Sequence, residues 1–372
     1  MASTDPAASI DPAASTAKRS FVLASRASEL AQIQTNLVRA ALERTYPTLD
    51  FSTQFMSTQG DKNQSQALYL LGGKSLWTKE LEVALKEGEV DMLVHCVKDM
   101  PTALPDGCVL GAILEREDPV DSLVVKQGLE VDGRPVTCLD DLKAGAVIGT
   151  SSVRRVAQLK RNYPHLVFQD VRGNLNTRMR KLDDPAGPYA ALVLAKAGMV
   201  RLGFGARLTA DLPPPTLFYA VGQGALGVEI RANDAATARL CAGLTHWPTQ
   251  WTCLAERACL RVLEGGCSVP VGVSATFEVV RDAGAEDRQA TLGLTGTITS
   301  LDGATHVQHA LSETVSSVAE AEAVGVRLAR VLVENGGKEI LKFIVKDRLA
   351  RGEASKSAED AKNETGAAQT SA

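Results

Sequence analysis

From Phe21 to Ile230 the chain repeats one pattern: a short apolar run, a turn of small or charged residues, then apolar residues at helical spacing. Strands that alternate with helices in this way argue for mostly parallel α/β sheets covered on both faces. The periodicity predicts strands at Phe21–Ala24, Phe51–Met56, Met92–Val97, Val109–Leu114, Ser122–Val125, Val147–Thr150, Val167–Val171, Tyr189–Ala195 and Ala225–Ile230. It predicts a helix capped by Ser28 with Leu30, Ile33, Leu37 and Ala41 on one face. A second helix runs over Thr78–Glu87 and stops at Gly88. Others start at Ser151 or Ser152, carry Leu175, Met179 and Leu182 on one side, and fall near Gly198–Leu202.

After about residue 245 the texture changes. Cys253–Leu263 reads as a helix and 265–270 as a loop. Alternating residues around Val271–Phe277 and Leu292–Ile298 read as strands, and Val318–Glu334 as a helix ending at Gly336 and Gly337. This is a smaller α+β unit. The expected organisation is a disordered tail over 1–18, a first α/β domain from 19–116 with 222–245, and a second from 117–221. A third domain follows over 246–349, then a tail over 350–372. No repeat of fixed period stands out.

Composition narrows the function classes. The chain has 372 residues, a formal net charge of −4 and 23% charged residues, which disfavours a nucleic-acid binder with its usual basic surplus. No apolar run approaches a membrane span. The first twenty residues, rich in Ala, Ser, Pro and Asp, match neither a secretory signal nor a transit peptide, so a cytoplasmic location is expected. Seven cysteines without a Cys-x-x-Cys pair suit free thiols in a reducing compartment.

Five constellations carry chemistry. The strand ending at His95–Cys96–Val97 delivers Lys98 and Asp99 to the carboxyl end of a sheet, where α/β folds bind ligands. A carboxylate there can accept hydrogen bonds, steady a cation or move a proton; an ordinary solvated Lys–Asp pair fits the same residues. Gly149–Arg155 is a strand, a hydroxyl-rich turn and a helix start, a place where anions bind. Arg154 and Arg155 oppose the helix dipole there and need a counter-anion. Arg172–Arg178 repeats the design one strand later, and Arg201 follows a third strand. Guanidinium groups grip carboxylates in pairs, so a ligand with several carboxylates is implied; a basic surface paired with local acids is the plainer alternative. Arg26 and Ser28 stand at the mouth of the first strand, although a helix cap would also explain Ser28.

The loop Glu264–Pro270 presents Cys267 after two glycines. A thiolate there could form a thioether or a catalytic intermediate, and a buried inert thiol is the competing reading. No metal is expected, because the spacing of Cys253, Cys259 and Cys267 matches no common zinc pattern. The fifth, Ser57–Lys62 with Gly72–Glu80, superficially looks like a phosphate-binding loop but lacks its first glycine, and suggests instead a lid. A solute-binding module also has two α/β lobes with arginines between them, and remains open at this point.

Together the segments SRAS, STQGDK, GGKSLWTKELE, HCVKDMPT, GTSSVRR, RGNLNTRMRKL, AKAGMVRLG, VGQGALGVE and LEGGCSVPVG resemble the porphobilinogen deaminase (hydroxymethylbilane synthase) family, in that family's order over about residues 20–345. The resemblance implies two similar α/β lobes of the periplasmic-binding-protein type with mixed, mostly parallel sheets, plus a small C-terminal α+β domain. It implies a transferase that condenses four porphobilinogen molecules head to tail, with loss of ammonia, and then releases linear hydroxymethylbilane by hydrolysis for haem biosynthesis. Cys267 would carry a dipyrromethane cofactor through a thioether, and Asp99 would be the catalytic carboxylate. Arg26, Ser28, Lys98, Arg154, Arg155, Arg172, Arg178 and Arg201 would bind carboxylates of cofactor and substrate. Gln34 and Lys74 would line the site, and Gln223 would sit near a crossover between domains. A monomer with a small-molecule substrate, and no nucleic-acid or membrane partner, is expected. Two positions depart from the family pattern: Cys96, where Ser is usual, and Lys196, where a small residue is usual and which could add an anion contact.

Overall fold

The computed structural model describes residues 20–58, 78–263 and 269–347. The terminal tails, Lys74, Cys267 and most of the expected lid segment lie outside the described residues.

Three sheets organise the chain. The first has the order β2-β1-β3-β12-β4, built from β1 (Ser20–Arg26), β2 (Asp50–Met56), β3 (Met92–Cys96), β4 (Cys108–Ile113) and β12 (Leu226–Arg231). β1 runs parallel to β2 and β3, and β12 runs antiparallel to both β3 and β4. The second has the order β11-β5-β10-β8-β9, from β5 (Asp121–Val125), β8 (Val147–Gly149), β9 (Val167–Gln169), β10 (Ala191–Ala195) and β11 (Ala210–Leu212). Here β8, β9 and β10 are parallel, and β5 runs antiparallel to β10 and β11. A short hairpin of β6 (Glu130–Val131) and β7 (Arg134–Pro135) decorates it. Each sheet is therefore mixed and mostly parallel, with one antiparallel strand that enters just after the chain has crossed from the other sheet. The third is an antiparallel meander of β13 (Val271–Asp282), β14 (Arg288–Thr299) and β15 (His306–Val315).

Helices cover both faces of the two mixed sheets, as the continuous apolar strands require. On the first sheet, α1 (Glu29–Thr45) and α6 (Ala235–Ala242) bury Val38, Leu42 and Leu240 against Leu23, Met92 and Val94. On its other face α2 (Lys79–Glu87) buries Leu81 and Leu85 against Leu93. On the second, α3 (Val153–Asn162) sets Leu159 against Ile148 and Val193. Opposite, α4 (Leu175–Asp183) and α5 (Lys196–Arg201) set Leu182 and Met199 against Leu192 and Leu194. α7 (Trp247–Val262) and α8 (Val318–Leu332) pack on the meander, with Trp251, Val324 and Leu328 beside Leu292 and Ile298.

Three local expectations shift. The buried face of α1 is Gln34, Thr35, Val38 and Leu42, whereas Leu37 is 47% exposed. Polar contacts beneath the helix set this rotation: Thr35 Oγ1 donates to Ser25 Oγ at 2.6 Å, and Gln34 reaches Cys96. Ser28 holds the N-cap position of α1 but makes no side-chain cap bond. After α8 the chain kinks at Gly336, whose φ is +105°, and resumes helix over 338–347 instead of ending.

Candidate active site

The carboxyl end of β3 flows into a single 3-10 turn, Val97–Asp99. Val97 and Met100 are fully buried and anchor the turn, so Lys98 and Asp99 between them remain half-exposed. The Val97 N–H donates to Ala225 O at 3.0 Å. Gly222, at φ +71°, lies so close that a Cβ there would stand 2.5 Å from Val97 Cγ1. Cys96 is braced from α1: Gln34 Nε2 donates to its sulfur at 3.1 Å. Burial, and then the charge of Asp99, push the Cys96 thiol up, so it acts here as a hydrogen-bonding neighbour and not as a nucleophile.

Arg26 is half-buried at the end of β1, where the Ala27 N–H donates to Met56 O at 2.8 Å. Ser28, free of capping duty, stands two residues on.

The second sheet contributes arginines from successive strand ends. After β8, Ser151 Oγ accepts from the Val171 N–H at 3.1 Å, tying the turn to the strand beside it. Arg154 and Arg155 follow in α3 but are 4% and 7% exposed. The sequence sends both to ligand carboxylates; the structure gives both an internal partner, Asp121 at the start of β5. Arg154 Nη1 lies 2.7 Å from Asp121 Oδ2 and donates to Phe218 O at 2.6 Å. Arg155 Nε and Nη2 both donate to Asp121 Oδ1, and its Nη1 donates to Val193 O. Burial alone would raise Asp121, but the two guanidinium groups hold its carboxyl far below the usual carboxylate range. One carboxylate between two cations leaves the cluster net positive.

Arg178 on α4 donates from Nε to Gly173 O at 2.8 Å. Burial, and then the like charges of Arg155 and Arg172, bring it down to about 10, against the pull of Asp99. Arg201 closes α5 with Nη2 donating to Gly224 O at 2.7 Å; burial lowers it, and Cys96 and Glu117 lie within electrostatic reach. Asp99 of the first sheet thus lies within electrostatic reach of Arg178 of the second, and Cys96 within reach of Arg201. The two sheets also meet directly through a hydrogen bond from Asn176 to Glu29.

Lys196 does not add an anion contact. Its ammonium sits 2.8 Å from Asp118 and 2.6 Å from Asp211, and those bonds raise its pKa. Gln223 is 1% exposed and donates to Pro119 O and Asp121 Oδ1, joining the two segments that cross between the sheets. Lys74 and Cys267 lie outside the described residues. Of the other thiols, burial pushes Cys241, Cys253 and Cys259 up to about 12, which removes them as nucleophiles at neutral pH. Among the described residues no group of His, Cys, Asp or Glu could hold a metal ion, and no helix is long and apolar enough to cross a membrane.

Sequence reasoning missed two residues that build this site. Asp121 opens the fully buried strand Asp121–Val125, and an acid just before its apolar run was its one visible signal. Arg116 forks onto the fully buried Glu256 of α7, with Nη1 to Oε1 at 2.6 Å, and donates from Nε to Gln223 O. Glu256 also accepts from the Gly222 N–H. One carboxylate on α7 therefore pins both crossing segments.

Comparison with known proteins places the chain in a family. Residues 21–239 match the family described as porphobilinogen deaminase, dipyromethane cofactor binding domain, and residues 251–334 match the C-terminal domain of the same family. The porphobilinogen deaminase of Nostoc sp. (strain PCC 7120) is 49% identical over 331 residues, covering 89% of this chain and 96% of that one. That of Yarrowia lipolytica is 46% identical over 324 residues, covering 86% and 91%. Among solved structures, the periplasmic aliphatic sulphonate binding protein of Escherichia coli overlaps 66% of this chain and 70% of its own, at 13% identity and a TM-score of 0.34; a likeness that loose says nothing of function.

Proposed function

This chain belongs to the porphobilinogen deaminase family, and from that premise we propose that Asp99 is its catalytic carboxylate, Cys267 its cofactor attachment point and the strand-end arginines its grip on pyrrole carboxylates. The reaction is the stepwise head-to-tail condensation of four porphobilinogen molecules, with loss of ammonia, followed by hydrolytic release of linear hydroxymethylbilane. The observation that carries the assignment of roles is the half-exposed Lys98–Asp99 turn at the carboxyl end of β3, set between the buried anchors Val97 and Met100.

The residues suit a dipyrromethane. Burial, and then the like charges of Arg155 and Arg172, bring Arg178 down to about 10, and a polycarboxylate ligand relieves that surplus of positive charge. Lys98, Arg26 and Ser28 supply further donors from the first sheet. Once bound, the cofactor supplies the nucleophilic pyrrole carbon on which chain growth starts. Asp99 has the remaining work. As an acid it helps protonate the amine of porphobilinogen, so that the carbon–nitrogen bond breaks and ammonia leaves. As a carboxylate it then stabilises the cation left on the substrate, and it takes the proton released when the new carbon–carbon bond forms. Arg154 and Arg155, locked on Asp121, hold a fixed positive field at the site, while Arg172, Arg178 and Arg201 bind acetate and propionate groups. Gln34 acts by bracing Cys96, and Lys74, which lies outside the described residues, is expected from the family resemblance to serve the same site. We read the chain as three domains, 19–116 with 222–245, 117–221 and 246–349, acting as a cytoplasmic monomer on a small molecule without nucleic acid or membrane.

Two measurements test this. Intact mass of the wild type should show an adduct of dipyrromethane mass that Cys267→Ser lacks; a bare polypeptide mass after incubation with porphobilinogen would make Cys267 structural. Asp99→Asn should cut turnover by about 10²–10⁴-fold with an unchanged melting curve; near-normal turnover would end the proposed role.

A further inference from the structure

The strand that delivers Asp99 is held from both faces of its sheet. On the α1 face the hold is the contact between Gln34 and Cys96. On the α2 face a polar pair sits within an apolar core: His95 Nε2 lies 3.2 Å from Glu229 Oε2, with His95 8% and Glu229 0% exposed. The β3–β12 register explains the meeting. His95 pairs with Gly227, and Glu229 lies two residues further along β12 on the same face. Position 227 is also where the turn folds back. A Cβ there would stand 3.1 Å from both Val97 Cγ2 and Met100 Sδ, the two anchors on either side of Lys98 and Asp99.

Other charged groups surround the pair. Glu82 and Lys86 face it from α2, Cys108 from β4, Arg231 from β12 and Arg257 from α7. Arg257 also donates from Nη2 to Pro101 O at 2.6 Å, so it grips the chain just beyond Asp99. Burial, and then the charge of Glu229, raise Glu82. A fully buried carboxylate with only an imidazole and a thiol beside it costs stability, and well-packed apolar side chains would serve the fold better. The catalytic steps above make no use of His95 or Glu229. Their position beneath the Asp99 turn is what distinguishes them.

We propose that the His95–Glu229 pair is a positioning device for Asp99, joining β3 to β12 beneath the Val97–Asp99 turn so that the carboxylate is held in line with the reacting carbon. The pair touches neither substrate nor cofactor, and acts through the strand end. Without it the turn keeps its backbone bonds but loses its fixed orientation, and turnover suffers more than binding.

The test uses the full-length, cofactor-loaded enzyme with the variants His95→Leu, His95→Gln and Glu229→Gln. The loaded fraction is counted with an Ehrlich-type aldehyde reagent, so kcat is expressed per loaded site and is not confounded by incomplete folding. His95→Leu should lower kcat by about tenfold to a hundredfold, with KM for porphobilinogen within about twofold of wild type. His95→Gln, whose amide still donates toward Glu229, should recover a large share of the loss, and the near-isosteric Glu229→Gln should fall with His95→Leu. If kcat per loaded site is unchanged in Glu229→Gln, or the whole effect lies in KM, the pair merely stabilises the fold and the proposal is overturned. Should His95→Leu fail to fold, Glu229→Gln decides alone. The inference rests on Asp99 as the catalytic carboxylate, and the two fail differently. Near-normal Asp99→Asn would remove the catalytic reading itself, whereas inactive Asp99→Asn beside fully active Glu229→Gln would remove only the positioning role.

Discussion

The two mixed sheets share one topology and use it differently. In each, three parallel strands are followed by an antiparallel strand that enters from the other sheet, so β1, β2 and β3 correspond to β8, β9 and β10. The third parallel strand of each ends in a lysine-bearing turn. In the first sheet that turn leaves Lys98 and Asp99 half-exposed. In the second, Lys196 is tied to Asp118 and Asp211. The first turn after the opening strand differs as well: Arg26 stays half-buried, whereas Arg154 and Arg155 are buried on Asp121. One scaffold thus has two chemistries. The first sheet keeps its strand-end charge half-exposed, where the proposed proton handling needs it, and the second commits much of its charge to internal pairs that fix a positive field.

The largest test of that contrast is Asp121→Asn. It leaves two buried guanidinium groups facing a neutral amide, and should lower unfolding free energy by about 3–5 kcal/mol in urea titrations. The sign with pH follows. Asp121 is depressed in the folded state, so its contribution is complete above the ordinary carboxylate value near ~4 and is lost only as pH falls well below it. The variant should lack that acid-side loss. A variant as stable as wild type would mean that the second sheet tolerates its arginines uncompensated.

Arg178→Met sharpens the comparison from the opposite side. Removing a cation from a self-repelling cluster should leave the ligand-free protein as stable or up to about 1 kcal/mol more stable, while KM for porphobilinogen rises by about tenfold or more. A loss of stability with unchanged KM would make Arg178 structural. The smallest effect is expected at Lys196→Ala. Its pairs are partly solvated, so stability should change by less than about 1 kcal/mol, and KM should not move. A clear rise in KM would return Lys196 to the ligand.

The proposed site residues stood out in the sequence because they lie at or just after strand ends, where a break in the apolar pattern meets Gly, Ser or Pro. Lys98 and Asp99 follow β3 directly, and Arg178 and Arg201 lie on the helices that follow β9 and β10. The expected lobes appeared as two mixed, mostly parallel sheets, and Gly88 ends α2 with φ +79° as its place in the pattern suggests. Partners fixed by tertiary register were not legible. Nothing local says that Asp121 will meet Arg154 and Arg155, residues more than thirty positions away. The His95–Glu229 contact depends on Gly227 falling opposite His95, a fact of pairing and not of spacing. The outer strand β15 escaped notice because its exposed residues, such as His309 and Ser312, interrupt the apolar alternation. Leu37 was placed on the buried face because hydropathy ignores the hydrogen bonds of Gln34 and Thr35 that turn α1.

The grip of Glu256 on both crossing segments gives the molecule a fulcrum. Arg116 in one segment and Gly222 in the other hang from a single carboxylate on α7. Any swing of one sheet relative to the other turns about that point, and arc length there is shortest. A joint held by one shared carboxylate stays nearly still while the jaws around it travel, so the strand-end turns of the two sheets can part without the crossing segments being pulled from their anchor.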